Sequence, residues 1–254
     1  MNRRNVFLSI LITAVTLCGC GARYAVTGIE RSRVLIDKRY DAANDTELQA
    51  FIAPYKQRVD SLVAPVVGRA GCNMSAGRPE SSLSNLMTDI LVWAGQRCGE
   101  QPQFAVYNIG GMRAAIGEGD VTRGDIINVA PFDNKVCFIT LTGEQVQRLF
   151  EQIAKRGGEG VSSSVRLVID KNRQLKRATI DGKPIDPKAQ YRVATNDYVV
   201  QGNDGMPAFK EGTQLVTPQT EESNVRYVMM DYFREQMKAG KPVCGKREGR
   251  IIIE

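Results

Sequence analysis

Three short segments of this chain hold residues whose types and spacing suit binding chemistry. At 108–113 the sequence reads NIGGMR. Asn108 offers an amide, adjacent Gly110 and Gly111 let a backbone come close to a ligand, and Arg113 presents a guanidinium fork suited to phosphate or carboxylate. At 131–134, PFDN sets Phe132 between turn-forming residues, where an aromatic ring is ordinarily a core plug. At 196–205, NDYVVQGNDG carries Tyr198 and then Asp204 in a glycine-rich turn, ordinarily a solvated position. The G-x-x-x-x-G-K and G-x-G-x-x-G spacings are missing, which excludes a P-loop and a dinucleotide fingerprint. The oxygen ligands of 196–205 do not alternate as a calcium loop requires. The chain of 254 residues contains no histidine. That removes Ser-His-Asp and Cys-His catalysis, imidazole bases and nearly every zinc or di-metal hydrolase site. Hydrolysis would have to rest on carboxylates or on metals borrowed from another chain.

The elements that position these segments are legible from periodicity. A helix is expected from Asn44 or Asp45, with Leu48, Phe51, Ile52, Tyr55, Val59 and Leu62 on one stripe, and Pro54 as its kink or true start. A second helix follows Ser81 or Ser82, with Leu83, Leu86, Met87, Ile90 and Leu91 facing inward. Phe104–Tyr107 reads as a buried strand that the NIGGMR loop closes. Residues 117–125 read as a polar turn. Val136–Leu141 is a strand, and Thr142 with Gln145 forms a capping box opening a helix. Val165–Ile169 and Leu175–Ile180 are strands, with Asp181-Gly182 as a hairpin turn. Tyr191–Thr195 is a strand running into the loop at 196–205. A helix at about 221–238 and a strand at 249–253 finish the chain, and residues 33–36 read as β-like. Helices and strands interleave without a strict βαβ rhythm, which favours an α/β domain with mixed or antiparallel pairing.

Taken in order, four of these segments resemble the C-terminal, substrate-binding domain of 5′-nucleotidases. ESSLSNL at 80–86 is similar to the segment that opens that domain, and NIGGMR resembles its N-G-G-G-x-R. VAPFDN followed by LTGEQV resembles its hydrophobic-P-F-x-N strand and L-T-G helix start. YRVATNDYVVQGNDG resembles its final Y-x-V-x-x-N to G-G-D-G segment. The resemblance covers about residues 45–254 and implies a four-layer α/β/β/α domain with mixed sheets. It also implies roles: Phe132 and Tyr198 clamp a nucleobase, and Asn108 hydrogen-bonds the ligand. Arg113 faces the ribose and phosphate side, and Asp204 accepts the ribose hydroxyls. Arg78 lies near the place of a further family arginine, at an offset that differs from the family's. Ile109 stands for the first family glycine, where a side chain threatens to narrow the pocket, and Asn203 for the second residue of G-G-D-G.

The ends set the cellular context. Arg3 and Arg4 precede an apolar run from Val6 to Leu17, shorter than the roughly 20 residues a spanning helix needs. Leu17-Cys18-Gly19-Cys20 resembles a lipobox, so residues 1–19 are expected to be a signal peptide and Cys20 the acylated end of a tether at 20–40. The folded domain is then 41–254, exported and lipid-anchored at the periplasmic face or outer membrane of a bacterial envelope. Losing the two leader arginines lowers the formal net charge of +6, and the remaining excess is scattered, which argues against nucleic acid. Cys72, Cys98, Cys137 and Cys244 allow three pairings as two disulfides, or buried free thiols, and the sequence does not choose. No cofactor is expected in this chain. Family enzymes carry an N-terminal metallophosphatase domain, so divalent metals are expected on a separate metallophosphatase chain, making this the nucleotide-recognising half of a split phosphohydrolase. The alternatives are an autonomous nucleoside- or nucleotide-binding envelope lipoprotein and a degenerate structural domain.

Overall fold

Residues 24–40 and 45–254 are described in a computed structural model, so the leader at 1–19 and Cys20 lie outside the described residues. The chain divides into a unit ending at Phe51 and one spanning Ile52–Glu254. In the first unit, residues 33–36 form no strand, and a 3-10 turn at Lys38–Tyr40 follows them. An extended run gains little unless a neighbouring strand takes up its backbone hydrogen bonds.

Helix α1 (Thr46–Val63) starts where the sequence placed it, with Asp45 Oδ1 accepting the Leu48 N–H at 2.9 Å. Pro54 lies inside it and does not begin it, and none of its residues is buried. Then follow β1 (Val66–Ala70), α2 (Ser82–Arg97), β2 (Phe104–Tyr107), β3 (Gly119–Thr122), α3 (Arg123–Val129), β4 (Val136–Thr142) and α4 (Gly143–Lys155). Next come β5 (Gly160–Val161), β6 (Val165–Ile169), β7 (Leu175–Ile180), β8 (Lys183–Pro184), β9 (Gln190–Asn196) and α5 (Asp197–Val200). The chain ends with β10 (Thr213–Val216), α6 (Val225–Lys238) and β11 (Ile251–Ile253). No described helix is long and apolar enough to cross a membrane.

The strands form two mixed sheets and a ribbon. The larger sheet runs β10-β4-β9-β2-β5, parallel only between β9 and β2. The second runs β11-β6-β7-β8, parallel between β11 and β6. The larger sheet is covered on both faces, which is why β2 reads FAVY without a polar residue. Ala105, Tyr107, Val136, Phe138 and Ala194 enter a core with α2 and α6. Phe104, Val106, Cys137, Ile139 and Val193 enter another with α4 and the second sheet.

Two loops expected from sequence are more structured than expected. Residues 117–125 contain β3, which pairs antiparallel with β1, and Thr122 caps α3 through a capping box with Asp125. The polar composition there serves a cap and an edge ribbon, not a free turn. The loop at 196–205 begins with the short helix α5, capped by Asn196. A capping box at Thr142 opens α4 as read, Ser81 caps α2 through a further box with Ser84 that the sequence reading did not name, and Asp181 and Gly182 both take left-handed φ in the hairpin turn.

The ESSLSNL segment holds the chain end. Asn85 Nδ2 donates to Glu80 Oε1 at 2.6 Å and to Lys246 O at 2.8 Å, and the Glu248 N–H donates to Glu80 Oε1 at 2.7 Å. Burial works against the Glu80 charge. The Glu248 N–H, the Asn85 amide and the N–H groups of Arg250 and Gly249 outweigh it and hold this carboxyl below its ordinary value. Buried Arg250 donates to Asp89 and to Val161 O. A disulfide joins Cys72 to Cys244, while Cys98 and Cys137 are free thiols.

Candidate functional site

The site is built where β2 and β9 end side by side. After Tyr107 the chain turns sharply, with Asn108 leading into a 3-10 turn at Ile109–Gly111. A Cβ on Gly111 would come within 2.9 Å of the Tyr107 ring and 3.0 Å of Asn108 Oδ1, so the turn closes only with glycine there. At Gly110 a Cβ would meet nothing nearer than Asp204 Oδ2 at 3.8 Å. Gly110 therefore keeps the cavity floor open. Ile109 is 8% exposed and packs into the α2 core, pointing away from the cavity that its bulk threatened to narrow.

A line of amides then ties the segments together. Asn196 Oδ1 accepts the Val199 N–H at 2.8 Å, capping the helix that carries Tyr198, and Asn196 Nδ2 donates to Asn108 Oδ1 at 3.2 Å. Asn108 Nδ2 in turn donates to Asp204 Oδ2 at 2.8 Å. Burial pushes the Tyr107 hydroxyl up to about 12 against the lowering effect of the Asn196 and Asn134 amides beside it, so it stays protonated. Asp204 sits at φ +52 between glycines at positive φ, which turns its carboxylate back toward Asn108.

Five of the residues singled out from sequence meet at one cavity of about 330 Å³: Asn108, Arg113, Phe132, Tyr198 and Asp204 line it with Gly110, Gly111 and Asn134. Phe132 is 46% exposed and Tyr198 40%. Rings that open are not core plugs, and they offer faces to a flat ligand. The Arg113 guanidinium lies 5.9 Å from the Phe132 ring centroid and donates to Gly110 O at 3.2 Å. Asn134 was missed, although it closes the PFDN motif two residues after Phe132. Arg78 is not brought to the cavity. Its Nε donates to Gly158 O at 2.8 Å and its Nη2 to buried Glu159, so its guanidinium is spent on the turn after α4.

The donor set does not fit a metal centre. The sequence has no histidine, and among the described residues no group of three or more Cys, Asp or Glu is placed to hold an ion. What the cavity can do is stack, accept hydroxyl hydrogens and pair with an anion.

Residues 64–211 match the family described as 5′-nucleotidase, C-terminal domain. The chain belongs to that family. Among solved structures, the 5′-nucleotidase precursor from Thermus thermophilus superposes with a TM-score of 0.71 at 29% identity, covering 82% of this chain and 43% of that one. A trifunctional nucleotide phosphoesterase protein of Bacillus subtilis, YfkN, is 32% identical over 68% of this chain and 12% of its own length. The cell wall protein Lmo0130 of Listeria monocytogenes is 26% identical over 83% of this chain and 30% of its own length. This 5′-nucleotidase C-terminal domain thus spans less than a third of these two relatives.

Proposed function

We propose that the domain recognises nucleosides and nucleotides, with the base between Phe132 and Tyr198, the ribose diol on Asp204 and the phosphate side toward Arg113. The observation that carries this reading is that two half-exposed rings from separate segments line one cavity with a carboxylate and an arginine. Nothing in folding demands that set. Asn108, held by Asn196 and Asp204, keeps one amide hydrogen for the ligand. The metals that activate water and neutralise a phosphoryl group are supplied by a separate metallophosphatase chain. Support for that step is the donor set, which lacks histidine and holds no metal-binding cluster among the described residues, and the cavity's fit to base and sugar. The chain is exported and lipid-anchored through Cys20. The leader pattern, the Cys72–Cys244 disulfide and a cell-wall relative all fit an oxidising, extracytoplasmic location.

The test uses the full chain purified in detergent. Calorimetry against nucleosides measures recognition, and phosphate release from nucleoside monophosphates with added magnesium or manganese is assayed alone and with co-purifying proteins. The expected result is binding alone, release only with a co-purified partner. Binding with no partner at all returns the chain to an autonomous binder. Metal-dependent release by this chain alone, surviving removal of contaminating phosphatases, overturns the split arrangement. Absence of any nucleoside binding overturns the site.

A further inference from the structure

The turn after α4 contains a charge network that the motifs do not explain. Gly158 takes φ +109, and a Cβ there would lie 2.3 Å from Pro79 O, so this turn presses directly on the Arg78-Pro79 segment. Beside it the Glu159 side chain is fully buried. Its Oε2 accepts the Ile109 N–H at 2.6 Å, and its Oε1 accepts from Arg156 Nε at 2.5 Å and from Arg78 Nη2. A carboxylate shut away from water needs such partners, and two guanidiniums around one carboxylate leave an excess positive charge. A second carboxylate answers it: Arg156 Nη2 lies 3.5 Å from Asp204 Oδ1. Asp204 is therefore held at both oxygens by different elements, Oδ2 by Asn108 and Oδ1 by Arg156.

This matters for a carboxylate meant to accept two hydroxyls. The terminal torsion of an aspartate is broad, so one hydrogen bond to Asn108 leaves the carboxylate plane free to turn. A vicinal diol presents two O–H groups at a fixed spacing and needs both oxygens in one plane to receive them. Arg156 supplies the second point that fixes the plane. Its planar fork reaches Glu159 through Nε and Asp204 through Nη2 at once, which a lysine ammonium on a flexible stem does not reproduce.

We propose that Arg156, which lies outside every motif carrying the family resemblance and outside the cavity lining, is the positioning residue that sets the preference of this site for ribose over 2′-deoxyribose. It acts by aligning Asp204 from Glu159. The inference rests on the nucleoside reading of the cavity. It places discrimination on a side chain that does not touch the ligand.

The test measures dissociation constants of the full chain for adenosine, guanosine, cytidine and uridine, each beside its 2′-deoxy counterpart and its free base. The wild type is expected to favour the riboside about tenfold or more, the loss of one hydrogen bond to a charged group. Arg156→Gln should reduce that ratio by about fivefold or more while free-base affinity stays within about twofold, and Arg156→Lys should restore only part of the ratio. A merely structural arginine would weaken riboside, deoxyriboside and free base together, and that pattern overturns the proposal. An unchanged ratio in a normally melting Arg156→Gln protein overturns it too. Should Arg156→Gln fail to fold, Arg156→Lys decides alone: a wild-type ratio sinks the alignment role, and a reduced ratio with intact base affinity upholds it. If the wild type binds no nucleoside and no base, the cavity reading itself falls and takes the proposal with it. If it binds ribosides and deoxyribosides equally, only the diol inference is lost.

Discussion

At the residue scale, half-exposed rings separate binding from stability. Phe132 is 46% exposed, so its removal takes little from the core, whereas a buried phenylalanine would cost about 3–5 kcal/mol of fold stability. Phe132→Ala and Tyr198→Ala should each weaken nucleoside binding by about 1–3 kcal/mol, roughly 5- to 150-fold, with melting temperatures close to the wild type. Tyr198→Phe should be nearly neutral, because stacking uses the ring. Calorimetry and melting on the same samples read both quantities. An alanine mutant at Phe132 that melts much earlier yet binds normally when kept folded in the cold would take that wall out of the clamp.

At the element scale, two capping and clamping groups carry more than their own hydrogen bonds. Asn196 caps α5 and also holds Asn108, so it sets Tyr198 and the floor amide together. Asn196→Ala should cost about 1 kcal/mol as a lost cap, and should weaken nucleoside binding although Asn196 does not line the cavity. Titration and thermal melting check the two effects. Glu80 ties α2 to the chain end, and its folded-state pKa lies below the ordinary carboxyl value of 4.5. A depressed value means that its contribution is present above about pH 4.5 and fades as pH falls through the folded-state value. Glu80→Gln should therefore lose about 1–2 kcal/mol at neutral pH, and the gap from wild type should close as unfolding is followed into acid. A gap constant from pH 7 to pH 3 would show that the charge of Glu80 contributes nothing.

Across the whole molecule, the Cys72–Cys244 bond closes a loop with a sequence separation of 172 residues, linking the start of the domain to its end. Constraining so long a loop in the unfolded chain is worth typically about 2–4 kcal/mol, with an upper range near 5. Cys72→Ser, or reduction under mild denaturant, should lower the unfolding free energy by that order. Burial raises the pKa of both free thiols, that of Cys137 to about 11, so iodoacetamide at pH 8 should label Cys137 only after unfolding. Mass spectrometry of the alkylated protein reads this directly. Labelling of Cys137 in the native state would contradict its burial.

What the sequence determined alone was local. Caps at Ser81 and Thr142, the Asp181-Gly182 turn and the continuous apolar run of β2 each depend on neighbours a few residues away, so they were legible. The family motifs made five cavity residues legible as well, because each motif fixes a residue type at a set place along the chain. The pairing of Cys72 with Cys244 was not, since four cysteines leave several arrangements and only the fold brings two of them within 5.5 Å between Cα atoms. The β1–β3 ribbon was missed because each strand is short and is stabilised by the other across some fifty residues. Arg78 and Ile109 show the same division. Their types invited a ligand role and a blocked pocket, yet tertiary packing sends one guanidinium to Glu159 and one side chain into the core. Only the fold decides the Glu159–Arg156–Asp204 line, because a buried carboxylate selects its partners from whatever the fold brings beside it.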